Sequence, residues 1–197
     1  MSTTAIVIIV ILAAVIVFIA ATAFLVRNKR RRDLHRRYGH EYDRAVQQAG
    51  SVRAGEADLR ERVEAREVLP IHPLTTEQVD RYRDEWEQVQ GEFVDTPSGS
   101  LRHADAVVTA IMVDRGYPMS DFEQQAKLIS VDHASVVENY RLAHETFLEN
   151  ERDRVPTDQV RDAIVAYRSL FEELITVEDG QGSKDERSQT RVSRSTR

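Results

Sequence analysis

The side chains in this sequence that could bind a metal or move a proton are six histidines and thirty-three acidic residues. Three sets lie close together: His40 with Glu41 and Asp43, Asp132 with His133, and His144 with Glu145. Adjacent residues on a helix point in different directions, so neither His doublet forms a chelating face. His144-Glu145 also lacks the second histidine of an HExxH zinc helix. His40 shares a face with Arg44, and His144 with Tyr140 and Leu148, so these histidines read as surface or capping groups and no metal is expected. Glu138 near Arg141 and the Glu172-Glu173 doublet read as solvated charge. A general acid would need a desolvated cleft to raise its pKa, and no spacing specifies one. Neither GxxxxGK[ST] nor GxGxxG occurs, which excludes the common phosphate-cradling loops. With no cysteine, disulfides, thiolate metal sites and cysteine nucleophiles are excluded too. Ser188, Thr190, Ser193, Ser195 and Thr196 stand beside Arg187, Arg191 and Arg194, a pattern a basophilic kinase could read. Each phosphate there would add about −1.5 to −2 charge. No catalytic set emerges: the expectation is a protein that is not an enzyme and needs no cofactor.

Charge is distributed in blocks along the 197 residues. Residues 27–37 hold seven Lys/Arg against one Asp, 38–179 hold fifteen against thirty acids, and 180–197 hold five against two. Parts of +6, −15 and +3 thus make up the net charge of −6. The acidic middle would be repelled by a duplex, whose binding relies on basic side chains displacing counterions, so no nucleic-acid partner is expected. Before the basic collar, Ala5 to Val26 are uncharged and rich in Ile, Val, Leu and Ala. As a helix these residues extend about 33 Å, matching a hydrocarbon core of about 30 Å. Ala21-Thr22-Ala23 fits a small-x-small cleavage pattern, but a signal peptide carries its basic residues before a shorter apolar run. Here the order is reversed. The expectation is a retained transmembrane anchor over 1–26, with the positive-inside rule placing all that follows in the cytoplasm and the N-terminus outside the plasma membrane. Arg27, Lys29, Arg30, Arg31, Arg32, Arg36 and Arg37 are then the expected contacts to anionic lipid headgroups, each favoured by about 1 kcal/mol near the surface.

The elements that position these residues are all expected to be helices. Leu34, Tyr38, Tyr42, Ala45, Val46 and Ala49 recur at helical intervals, with Gly39 weakening that helix and Gly50 ending it. A stretch from about Val52 to Val68 has only Leu59 and Val63 as an apolar pair, and Pro70 and Pro73 force an extended connector. Thr75 with Gln78 reads as a capping box. It opens a helix striped by Val79, Tyr82, Trp86, Val89 and Phe93; the stripe suits a core, with an aromatic partner-binding face as the alternative. Pro97 starts the next helix, faced by Leu101, Ala104, Val108 and Ile111 and ended by Gly116. Ser120 with Glu123 is a second expected capping box, turning Phe122, Ala126 and Ile129 inward. Asp132 is the expected cap of a helix faced by Val136, Val137, Tyr140, Ala143, Phe147 and Leu148. The last helix follows Pro156 and carries Val160, Ile164, Tyr167, Phe171 and Leu174. No segment alternates as a strand would, so the class is all-α. The expected organisation is an anchor over 1–26, collar over 27–37, helical linker over 38–69, helical bundle over 70–177 and disordered basic tail over 178–197.

Several motifs together resemble an uncharacterised family of single-pass membrane proteins from actinobacteria. They are Tyr38-Gly39-His40-Glu41-Tyr42-Asp43-Arg44-Ala45-Val46 after the collar, Gly116-Tyr117-Pro118 with Asp121-Phe122-Glu123-Gln124, Leu128-Ile129-Ser130-Val131-Asp132-His133, and Tyr140-Arg141-Leu142-Ala143-His144. The likeness covers most of residues 30–175; His40 departs from it, standing where the family has proline. It implies an anchored helical protein and no enzymatic activity. The functional expectation is a membrane-tethered interaction or scaffold module, binding a protein partner through Tyr82, Trp86, Phe93 and Tyr117 while lipid headgroups hold the collar. The alternatives are a lipid-surface electrostatic sensor, in which collar and tail touch anionic lipid and the acidic body is repelled, and an enzyme with an unrecognised site.

Overall fold

The computed structural model describes residues 3–118 and 121–176, with only some of the side chains before Arg31. Its elements are α1 (Thr3–Tyr38), α2 (His40–Ala49), α3 (Val52–Glu67), α4 (Thr76–Asp95), α5 (Pro97–Arg115), α6 (Phe122–Asp132), α7 (Val137–Arg152) and α8 (Thr157–Ile175). The described residues contain no strand, in keeping with the all-α expectation. The chain divides into two compact units, Met1–Leu59 and Arg60–Arg197, so the division falls inside the expected 38–69 linker. Residues 177–197, including the basic tail and its hydroxyls, lie outside the described residues.

In the first unit, α1 is one helix of 36 residues that contains both the uncharged run and the collar. Among the described residues no helix is long and apolar enough to cross a membrane; most side chains of the 5–26 run are not among them. Those that are described lie open: Phe18, Ile19, Phe24 and Leu25 are 59–69% exposed. The Thr22 hydroxyl turns back to the carbonyls of Phe18 and Ile19, at 3.0 and 2.9 Å. Gly39, at φ 51° and ψ −124°, breaks the helix with a backbone conformation that a Cβ would oppose. The chain therefore turns there, and the buried Tyr38, Tyr42 and Ala45 form the expected face. His35 lies 5.4 Å from the Tyr42 ring and 3.3 Å from Asp43. The Tyr42 hydroxyl donates to Glu56 at 3.3 Å, which joins α2 to α3.

In the second unit, the Thr75–Gln78 capping box forms in both directions. Thr96 alone separates α4 from α5, and the two run antiparallel, because Asp114 near the end of α5 meets Gln78, Arg81 and Tyr82 in the first turns of α4. α5 is the central helix: Leu101, Ala104, Val107, Val108, Ile111 and Met112 are at most 2% exposed, and it packs on α4, α7 and α8. α7 packs along α8 and, less extensively, on α6. Each large aliphatic side chain so buried stabilises the fold by about 1.5–3 kcal/mol.

Gly116 ends α5 at φ 95°. A Cβ there would stand 2.7 Å from the Pro70 carbonyl oxygen, so the proline connector passes against a helix end only a glycine can form. His72 N–H donates to the Arg115 carbonyl beside it, at 3.0 Å.

Three local expectations are corrected. α6 is capped by Asp121, whose carboxylate accepts from Gln124 N–H at 3.1 Å, not by the Ser120–Glu123 box; Ser120 lies outside the described residues. An ionised acceptor gains from the helix dipole as a hydroxyl does not. Asp132 does not cap α7, whose N-cap is Val136 with no side-chain hydrogen bond, because its carboxylate is taken by Arg66 and Tyr117. Leu148, expected inward, is 40% exposed; the inward position at that level is filled by Phe147, packed against the core.

Candidate functional site

The most concentrated polar chemistry inside the second unit is where α5, α7 and α8 meet. Asp105 Oδ1 accepts from the Tyr167 hydroxyl at 2.6 Å and lies 3.3 Å from His144 Nδ1. The His144 ring stacks on Phe122 with centroids 3.8 Å apart and planes 6° from parallel, and Tyr140 and Phe147 complete an aromatic surround. Burial first, then the Asp105 charge, pushes the hydroxyls of Tyr140 and Tyr167 well above an ordinary phenol. A tyrosine held so firmly protonated donates and does not act as a base. This Asp-His-Tyr set ties α5 to α7 and α8 through one carboxylate.

A second centre is Asp114. It accepts from Gln78 at 3.0 Å, Arg81 at 2.8 Å and Tyr82 at 2.8 Å. The Tyr82 hydrogen bond, followed by those of Arg81 and Gln78, holds the carboxyl below its usual range despite some desolvation. Burial, with the same carboxylate, raises Tyr82 to about 12.

A third set gathers basic groups from α3, α5 and α6. The buried Arg62 donates to Ser130 at 3.2 Å, Arg66 pairs with Asp132, and the buried Arg115 donates to the Leu174 carbonyl at 2.7 Å, satisfying the last turn of α8. His133 stands 3.4 Å from Glu173 with its other ring nitrogen buried and unpartnered. Burial and then the Arg115 charge push its pKa down, against the pull of Glu173 and Asp132. Tyr117 is raised to about 12 by burial and by Asp132.

The expected partner-binding aromatics are not on the surface. Tyr82, Trp86 and Tyr117 are 2%, 4% and 3% exposed, and Trp86 stacks on Phe171 at 4.5 Å. Phe93 is half-buried beneath the Arg161 guanidinium. Their large apolar area stabilises the molecule most when removed from water, so the core reading of the stripe holds and its partner-face reading is corrected. In the collar, Lys29, Arg31, Arg32, Arg36 and Arg37 are exposed, while the side chains of Arg27 and Arg30 lie outside the description. Arg37 lies 5.4 Å over the Tyr38 ring, so one of the expected lipid contacts also touches its own chain.

Glu138 and Arg141 pair at 3.9 Å; Glu172 pairs with Arg168 and Glu173 faces His133. Among the described residues no group of three or more His, Cys, Asp or Glu could hold a metal. Two surface clefts are formed by described residues. One of about 420 Å³ lies between the starts of α5 and α8, lined by Ser98, Arg102, Arg154 and Thr157 among others. The other, about 300 Å³, runs between α7 and α8. Sequence reading missed Asp105, Asp114 and Arg115, each of which flanks an apolar stripe and gains its role only from partners at least 32 residues away. No family model, curated protein or solved structure matches the chain.

Proposed function

We propose that the protein is a single-pass plasma-membrane protein whose α1 is the anchor, with the N-terminus outside and a cytoplasmic helical bundle that acts as a binding module and not as an enzyme. The observation carrying this reading is the exposure of Phe18, Ile19, Phe24 and Leu25 on an uncharged stretch of α1. So much apolar surface left open among the described residues suits hydrocarbon, not water. Two features support it. Thr22, the one polar residue of the run whose side chain is described, satisfies its hydroxyl within the helix, as a hydrocarbon environment demands. The helix also continues through the collar, whose cations, at about 100° per residue, encircle the axis over about 15 Å of rise. A ring fixes depth and orientation, whereas recognition of one headgroup would call for a cluster on one side; this favours a topological clamp.

With Tyr82, Trp86 and Tyr117 inside, a protein partner would meet the acidic exterior of the bundle. The motif likeness to actinobacterial membrane proteins agrees with the reading and adds no activity. The chain has no cysteine, so topology can be read with single introduced thiols. Impermeant reagent on intact cells should label T3C, and T190C only after permeabilisation. Labelling of T190C in intact cells, or recovery of mature protein lacking residue 3, would defeat the proposal.

A further inference from the structure

We propose that the groove between α7 and α8 is the docking site of the chain's own basic C-terminal segment, residues 184–197. The groove is about 300 Å³ and is lined by Leu142, Glu145 and Glu149 of α7 and Asp162 of α8, among others. All three carboxylates are exposed, and among the described residues none of them forms an ion pair, whereas Asp105, Asp114, Glu151, Glu172 and Glu173 of the same unit are each matched by Arg or His. Leu142, in the groove lining, is 55% exposed, and Ala163 lies on the α8 side. An uncompensated acidic groove with apolar residues beside it is suited to a basic strand or helix carrying a small aliphatic residue.

The chain supplies such a segment. Lys184, Arg187, Arg191, Arg194 and Arg197 recur at intervals of three and four, and Val192 is the only aliphatic residue after residue 180. That rhythm would put the basic side chains on one helix face, matching Glu145 and Glu149, which are also four apart. Asp185 and Glu186 fall between the basic positions.

The reach is sufficient. From Ile175, at the end of α8, back to Asp162 is about 20 Å along the helix, while the twelve residues to Arg187 can extend about 40 Å. Exposed ion pairs are individually weak, but a short tether gives an effective concentration of about millimolar, enough to hold a weak contact closed. The contact itself needs only the second unit and its continuation, while its reading in bilayers rests on the anchor proposed above.

The test is disulfide trapping in the full-length chain with S195C and Q159C as its only thiols. In zwitterionic bilayers at low salt an intrachain cross-link is expected. It should be lost in about 0.5 M salt, where exposed charges are screened within a few ångströms. It should also be lost with E145K/E149K/D162K and return when R187E/R191E/R194E is added to that triple change. It is expected to persist when phosphatidylserine is included; loss there would assign the segment to lipid and overturn the proposal. A cross-link running between chains would assign the groove to a second copy and likewise overturn it. So would one insensitive to the acid reversal, or absence of any cross-link in zwitterionic bilayers. Circular dichroism of each variant separates these outcomes from unfolding.

Discussion

At the scale of single residues, Asp105 organises more of the interior than its partly buried position suggests. It is the acceptor for Tyr167 and faces His144. Tyr167→Phe removes one donor from a carboxylate that water can still reach and should cost about 1–2 kcal/mol, whereas Asp105→Ala strands a buried hydroxyl and should cost about 2–3 kcal/mol. In a urea-melt cycle the double variant is expected to cost no more than Asp105→Ala alone; simple addition of the two losses would show that they act separately. His133 carries a pH consequence. Its folded pKa lies below the ordinary 6.5, so between those two values the unfolded chain binds the extra proton and stability falls as pH drops. Burial sets this first and Arg115 next, with Glu173 and Asp132 opposing them. His133→Asn should flatten the stability change measured from pH 7.5 to 5.5, and an unchanged slope would assign the pH response to other groups. Little of this was legible in the sequence. His133 reads there as a capping or surface histidine, because its neighbours Arg115 and Glu173 arrive from helices distant along the chain.

At the scale of elements, helix limits were legible where one residue type has one physical role. Gly116, Gly50, Pro97 and the Thr75–Gln78 box all stand where local backbone chemistry puts them. Limits failed where tertiary competition decides. Asp132 is paired instead with Arg66, a contact inside the second unit between residues 66 positions apart that no local pattern announces. Gly116→Ala combines a left-handed φ with a clash against Pro70 and is expected to cost more than about 1 kcal/mol. Thr75→Ala should cost about 1 kcal/mol. Thermal melts compare the two, and an equal loss would mean that the Pro70 carbonyl yields without strain. Gly55 makes a similar test in the first unit: an added Cβ would lie 2.7 Å from the Val46 Cα, so Gly55→Ala should loosen the α2–α3 contact, read as lost protection of Tyr42 from solvent.

At the scale of the whole molecule, what the sequence carries best is its division into an uncharged run, a cationic collar, an acidic helical body and a basic end. These follow from composition and need no tertiary knowledge. Removing residues 5–26 should move the protein from membrane to soluble fractions while the helical content per residue of the remainder stays the same; retention on membranes would mean that some other surface holds it there. The aromatic stripe was legible as a core, and its reading as a partner surface failed because five packed helices, α4–α8, supply enough apolar area to cover it. That burial has a practical outcome. Trp86 is the only tryptophan in the chain, pressed on Phe171 with its indole nitrogen unbonded and away from water. Its fluorescence is therefore a single-origin optical gauge of the second unit, blue-shifted while the helices are closed and red-shifting when they open, and it can be read in intact vesicles without attaching a dye.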